Sequence, residues 1–139
     1  MKQRILIGKA PSYLYTSIRG KILASPYPIS FFGDVDPRNG TIVNPNVPIW
    51  KQSIRNRILV MPHGRGSTVG SYVLYSLSRR GLAPKCILSI KPDTITLVGC
   101  IIAEIPLAYG FPEEILDFNN YLALVNIRNG RATVEILDQ

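Results

Sequence analysis

The stretch in which chemistry is most legible is Gly64-Arg65-Gly66-Ser67-Thr68, two glycines and two hydroxyl residues around one arginine. It follows the continuously apolar run Arg57-Ile58-Leu59-Val60-Met61-Pro62, which reads as a short strand buried on both faces. It precedes a helical pattern over Thr68 to Arg80, in which Val69, Tyr72, Val73, Ser76 and Leu77 fall on one stripe. Glycines let such a junction turn sharply and approach a ligand closely. Amides at the start of a helix have no intrahelical partners and point donors at whatever lies there. Two roles are open for Ser67. It can cap the helix, an interaction of about 1 kcal/mol, or it can face a ligand while Thr68 caps. Gly64, Arg65, Gly66 and Thr68 are the candidate substrate-binding residues. The guanidinium fork of Arg65 suits a carboxylate or a phosphate better than an ammonium would.

Several chemistries are excluded by residue type. A Walker phosphate loop needs Lys before its hydroxyl residue, where this chain has Gly66. There is no GxSxG elbow, and the lone histidine, His63, has no evident carboxylate to orient it, so a hydrolase triad is not expected. His63 leaves one competing idea, a phosphohistidine carrier. Cys86 and Cys100 each sit in an apolar run and read as buried, inert thiols. With no CxxC and no Cys/His cluster, neither a zinc nor an iron–sulfur site is expected on this chain itself.

The net charge of +7 is concentrated. From Pro37 to Pro92 there is no acidic residue but nine basic ones: Arg38, Lys51, Arg55, Arg57, Arg65, Arg79, Arg80, Lys85 and Lys91. A field of one sign attracts an anionic partner, and the expected one is a small anionic substrate. A basic nucleic-acid-binding domain is the alternative from another class. It requires aromatics interleaved with the cations, and between Lys51 and Lys91 only Tyr72 and Tyr75 are present. A nucleic-acid partner is therefore not expected. No apolar run approaches the roughly 20 residues of a membrane span, and no cleavable leader is legible, so a cytoplasmic protein is expected.

The elements that must position this loop read as one α+β domain over residues 1–139, mostly strands with one good helix. Arg4 to Ala10, Gly20 to Ala24, Lys85 to Ile90 and Thr94 to Val98 are expected strands. Ile101 to Leu107 fits either a short helix or a strand. Tyr121 to Ile127 and Arg131 to Leu137 flank Arg128-Asn129-Gly130, the turn chemistry of a hairpin. Gly81 and Pro84 end the helix after Arg80. Ser25 to Asn46 is rich in Pro, Gly, Asn and Asp, and such long irregular stretches are usually functional or covered by a partner. Phe31 and Phe32 within it, and Trp50 beyond it, are the candidate apolar anchors for an interface, with a core role equally open for the two phenylalanines.

Taken together, Gly64-Arg65-Gly66-Ser67-Thr68 after Met61-Pro62, Pro28-Ile29-Ser30-Phe31-Phe32-Gly33-Asp34-Val35-Asp36 with Gly40, Gly81-Leu82-Ala83-Pro84, and Gly99 with Ala103-Glu104 resemble the aconitase X small subunit. The likeness covers most of the chain. Two positions depart from the family pattern: Val47-Pro48-Ile49 stands where His-Pro-Leu is common, and Gly33-Asp34 replaces a double glycine. The resemblance implies a swivelling β/β/α domain that closes over a larger catalytic subunit. It implies a hydro-lyase, active only as a heteromer, in which Ser67 acts as alkoxide base on the proton beside a carboxylate. A 4Fe-4S type cluster is then expected on the large subunit and none on this chain. Among archaeal members the implied reaction is dehydration of (R)-5-phosphomevalonate to trans-anhydromevalonate 5-phosphate, in a modified mevalonate route to isoprenoids. Dehydration of cis-3-hydroxy-L-proline is the alternative.

Overall fold

One long strand joins two different kinds of sheet. A computed structural model describes residues 4–138, and in it β2 (Thr16–Ala24) pairs antiparallel with β6 (Leu122–Arg128) through Thr16 to Lys21. Its last three residues, Ile22 to Ala24, pair parallel with β3 (Ile58–Met61). The sequence explains the change. Ile18, Gly20 and Ile22 alternate with exposed Ser17, Arg19 and Lys21, the pattern of a strand with one wet face, whereas Ile22-Leu23-Ala24 is buried on both. The strand therefore begins four residues before the expected Gly20.

On the antiparallel side lie β1 (Arg4–Lys9), β7 (Arg131–Asp138) and β6. On the parallel side lie β4 (Cys86–Ser89) and the two-residue β5 (Leu107–Ala108). The order across the sheet is β1-β7-β6-β2-β3-β4-β5. The expected hairpin is present between β6 and β7, with Asn129 at φ 52° and Gly130 at φ 73°, the positive pair that a tight two-residue turn needs.

Two apolar cores lie on opposite faces of the parallel strands. Ile22, Ile58, Val60, Cys86 and Leu88 point toward the layer formed by the antiparallel strands. Leu23, Leu59, Met61 and Ile87 point toward α2 (Val69–Arg79) and α3 (Thr94–Ala103). The result is the β/β/α layering that the family resemblance implies, and the fold class is α+β. The irregular stretch after β2 closes the helix-side core with Ile29, Phe31, Val35, Ile42, Ile49 and Ile54, and its one helical element is a short distorted turn, α1 (Phe31–Asp34).

Two expectations are corrected and one open reading is resolved. Thr94 to Val98 is helix, not strand. The Asp93 side chain accepts the Thr96 amide at 2.8 Å and caps α3, which outweighs the β-branched composition. Gly99 then lets α3 cross close to α2, because a Cβ there would come within 2.7 Å of Leu74 and 3.2 Å of the Ser71 backbone. Second, the buried face of α2 is Gly70, Ser71, Val73, Leu74 and Leu77, leaving Val69 and Tyr72 exposed. Its small residues at 70 and 71 permit close approach to Phe31 and Ile95. Third, Ile101 to Leu107 is divided: α3 ends with Glu104 at φ 57°, and the strand starts only at Leu107. The helix stop at Gly81 is as expected. Its amide bonds to the Ser78 carbonyl and that of Leu82 to the Leu77 carbonyl at 2.8 Å, with Gly81 at φ 71°.

Candidate functional site

The loop after β3 is held at its backbone, and no other described residue engages the side chain of Ser67. The Pro62 carbonyl accepts the amides of Ile90 and Lys91, so the ends of β3 and β4 are fixed together. Gly64 forms a one-residue parallel bridge with Ile29 and donates its amide to Asp93 Oδ2 at 2.6 Å. No other residue type fits there without a shift: a Cβ at Gly64 would lie 2.3 Å from Thr96 Oγ1 and 2.9 and 3.0 Å from the two Asp93 oxygens. The Arg65 amide donates to the Ile29 carbonyl at 3.0 Å. Gly66, at φ 100°, passes so close to Ser30 that a Cβ would meet its hydroxyl at 2.5 Å. The carbonyls of Ser67 and Thr68 accept the first amides of α2, from Gly70 and Ser71. Neither hydroxyl caps that helix among the described residues: Thr68 sits at the N-cap position without a side-chain bond, and Ser67 is exposed. The capping role open to both in the sequence is thus unused.

A buried carboxylate that sequence reasoning did not assign to the site ties this loop to the preceding irregular stretch. Asp34, 3% exposed, accepts the Ser30 amide at 2.8 Å, the Asn44 side-chain amide at 2.9 Å and the Arg65 guanidinium at 3.1 Å. Arg65 also donates from Nε to the Pro28 carbonyl at 3.3 Å, and its side chain remains half exposed. Its fork is therefore oriented from behind, with donor capacity left toward solvent. The one available signal was position. Asp34 and Asp93 are among the acids nearest to the acid-free Pro37–Pro92 segment on its two sides, and both fold back onto the loop within it.

The central positive field is accordingly less uniform than the sequence suggests. Arg57 donates to the carbonyls of Lys21 and Ile22 and to Asn120, Lys85 to the Arg19 carbonyl, and Arg80 to the Pro37 carbonyl. Arg57 and Lys85 lie at the ends of β3 and β4 opposite the loop. Partial burial lowers the Arg57 guanidinium from its ordinary value. Arg38 pairs with Asp36, which holds that carboxyl below its usual range and raises the arginine. Near the loop the cations are Arg65, partly neutralised by Asp34, and exposed Lys91.

His63 is half buried, and its Nδ1 lies 2.7 Å from the Gly64 carbonyl, which makes that nitrogen the protonated donor. Both cysteines are buried and unpaired with each other. Burial pushes the Cys86 thiol up to about 12 and Cys100 higher still. Among the described residues no group of three or more His, Cys, Asp or Glu side chains could hold a metal ion. The donor set here therefore does not fit an iron–sulfur cluster, whose irons bind thiolates. No helix among the described residues is long and apolar enough to cross a membrane. Of the three candidate anchors, Phe31 is 1% exposed and belongs to the core, while Phe32 and Trp50 stand at the surface, Trp50 under the Lys51 ammonium.

The geometry is thus a β/β/α layering with a glycine-rich loop that presents a serine at a helix start. The model of the family described as "Aconitase X swivel domain" matches residues 8–136, and the chain belongs to that family. It is similar to the phosphomevalonate dehydratase small subunit of Pyrococcus abyssi, 50% identical over 93 residues, or 67% of this chain and 72% of that one. The protein of the same name from Methanosarcina acetivorans is 50% identical over 123 residues, covering 85% and 82%. Among solved structures, Thermococcus kodakaraensis aconitase X in its holo-form matches with a TM-score of 0.86 and 37% identity. That match spans 97% of this chain and 99% of that one.

Proposed function

We propose that this chain is the small subunit of a phosphomevalonate dehydratase and that Ser67 is the base its half of the active site contributes. The observation that carries this reading is the Ser67 side chain itself: exposed, engaged by none of the described residues, and presented by a loop whose backbone is fixed at Gly64, Arg65 and Gly66. The 50% identity to relatives of that name supports the substrate class.

In this reading the Ser67 oxygen, as alkoxide, takes the proton from the carbon next to the substrate carboxylate. The electron pair of that C–H bond forms the new double bond as hydroxyl leaves the neighbouring carbon. An alkoxide is a poor prospect in water. It becomes accessible where open amides at a helix start and a nearby guanidinium stabilise the anion, the helix end contributing about 0.3–1 kcal/mol. The amides of Thr68 and Val69, which no carbonyl of the described residues accepts, and Arg65 meet that need. Arg65, oriented by Asp34 and still half exposed, is suited to a carboxylate or phosphate oxygen of the substrate, alongside the backbone of Gly64 and Gly66 and the Thr68 hydroxyl. An iron–sulfur cluster on a larger partner chain would supply the Lewis acid for the leaving hydroxyl.

The test uses the two-subunit complex under anaerobic conditions with 5-phosphomevalonate, and cis-3-hydroxy-L-proline as the competing substrate. Ser67→Ala should lower turnover by about 10²–10⁴-fold, the scale of a positioned base, without breaking the complex. A fully active Ser67→Ala complex removes the assignment of the base. Turnover of the hydroxyproline alone removes the assignment of the substrate.

A further inference from the structure

Two surface helices of this fold lack the charged outer face that a solvated helix carries. Arg79, at the far end of α2, is the only charged residue on either α2 or α3. An ordinary surface helix is apolar on one stripe and charged on the opposite one. Here α3 buries Thr96, Gly99, Cys100 and Ala103, and turns Val98, Ile101 and Ile102 outward, at 40%, 52% and 42% exposure. Beside them α2 exposes Val69 and Tyr72, the latter by 67%. Between the helices runs a groove of roughly 360 Å³ lined by Thr68, Ser71, Tyr72, Ile95, Val98 and Ile102, with no charged side chain. Apolar residues scattered singly on a surface need no explanation, but a contiguous set of this kind marks a contact.

The position of the groove says what covers it. Thr68 lines it, and Thr68 is bonded in chain to Ser67. The backbone of the Ser67 loop is further tied to α3, through the Gly64 amide on Asp93, the residue that caps that helix. The relatives this chain matches are named small subunits, which points to a larger one, and the loop that carries Ser67 stands open to solvent, so that larger subunit is the chain that closes over it. A chain that covers Ser67 cannot avoid the groove beside it. A second copy of this chain would bring another Ser67 and no complementary chemistry.

We infer that the α2–α3 face, centred on Tyr72, Val98 and Ile102, is the docking surface for the larger subunit that completes the Ser67 site. This rests on the functional reading above. The recognising surface on that subunit is apolar at its centre, with a pocket or ridge that receives Tyr72, the residue type that most often anchors an interface core. Docking there also seats α3, and through Asp93 and Gly64 it fixes the loop that carries Ser67.

The test is the affinity of the full small chain for its larger subunit, read without substrate by calorimetry or surface plasmon resonance. Ile102→Glu places a charge where the interface would bury it, and should weaken binding by roughly 30-fold or more, the scale of an anchor residue. Tyr72→Ala should do the same by removing the anchor. Both positions are exposed, so the melting transition of the unbound chain should stay that of the wild type, and Tyr72→Ala keeps the test open if Ile102→Glu fails to fold. Ile7→Glu, an equally exposed apolar position on β1, should leave affinity unchanged. Wild-type affinity in both α2–α3 variants overturns the inference, and so does a wild-type chain that does not bind the larger subunit. A chain that self-associates through this face, with Ile102→Glu abolishing self-association alone, overturns it in favour of a second copy. A complex that forms normally yet does not dehydrate 5-phosphomevalonate counts against the functional reading and leaves the surface standing.

Discussion

The antiparallel half and the parallel half of this sheet are built on opposite rules. In β1, β6 and β7, buried Leu6, Val125, Ile127 and Val134 alternate with residues open to water such as Lys9, Asn126 and Arg128. Register is fixed there by the pleat, since a slip of one residue would turn every apolar side chain outward. The half is closed by a tight turn and carries no candidate chemistry. In β3 and β4 every side chain is buried, so the strands have no solvent face on which to place a functional group. The candidate site lies at their C-terminal ends, where Gly64, Asp34 and Asp93 arrange a loop rather than fill a core. The candidate loop and the hairpin thus occupy separate regions, and the start of α2 can stay uncapped by a side chain because the hairpin half does not depend on it.

That separation can be broken at either end. The largest effect is expected from Gly64→Ala. Its Cβ would meet Thr96 Oγ1 and both Asp93 oxygens, so the loop must shift, and a displacement of about 1 Å at a reacting group costs on the order of 10²-fold in turnover. Steady-state rates of the two-subunit complex, with melting of the small chain as control, would show loss of activity out of proportion to loss of stability. Asp34→Asn is expected to be intermediate. It sets an amide against the Asn44 side-chain amide or the Arg65 guanidinium and leaves a buried donor unmet, a cost of about 1–3 kcal/mol in thermal or urea unfolding. The Arg65 part of that loss is small, because its side chain is half exposed and screened by solvent. Substrate binding should weaken as well, since Arg65 loses its orientation. The smallest effect belongs to the hairpin: Gly130→Ala forces a Cβ into φ 73° and should cost about 1 kcal/mol of stability while leaving turnover unchanged. If Gly130→Ala altered turnover as Gly64→Ala does, the two halves would not be separate.

Local chemistry made much of this legible in advance. The Asn129-Gly130 turn, the Gly81 helix stop and the fully apolar β3 are each dictated by a few adjacent residues, and each appears where the sequence puts it. The loop from Gly64 to Thr68 was equally plain, because glycine pairs before a helix have few other uses. Thr94 to Val98 was not. Its composition favours a strand, and what makes it helix is a single cap from Asp93 together with room for Gly99 against α2. Asp34 was invisible as a site residue for a similar reason: its partners lie four, ten and 31 positions away. Phe31 and Phe32 are adjacent, yet one is core and the other surface, which neighbouring side chains alone cannot decide.

By itself, then, the sequence determined the α+β class, the loop and the candidate serine, because turn chemistry and strand burial are local or compositional. Only the tertiary structure decided how that loop is held. The acid-free middle of the chain looked like a field of one sign, until folding brought Asp34 and Asp93 against it from either side. It likewise sent Arg57, Lys85 and Arg80 to cap carbonyls. Charge in a sequence is a sum, but at a site it depends on which groups the fold brings within hydrogen-bonding distance.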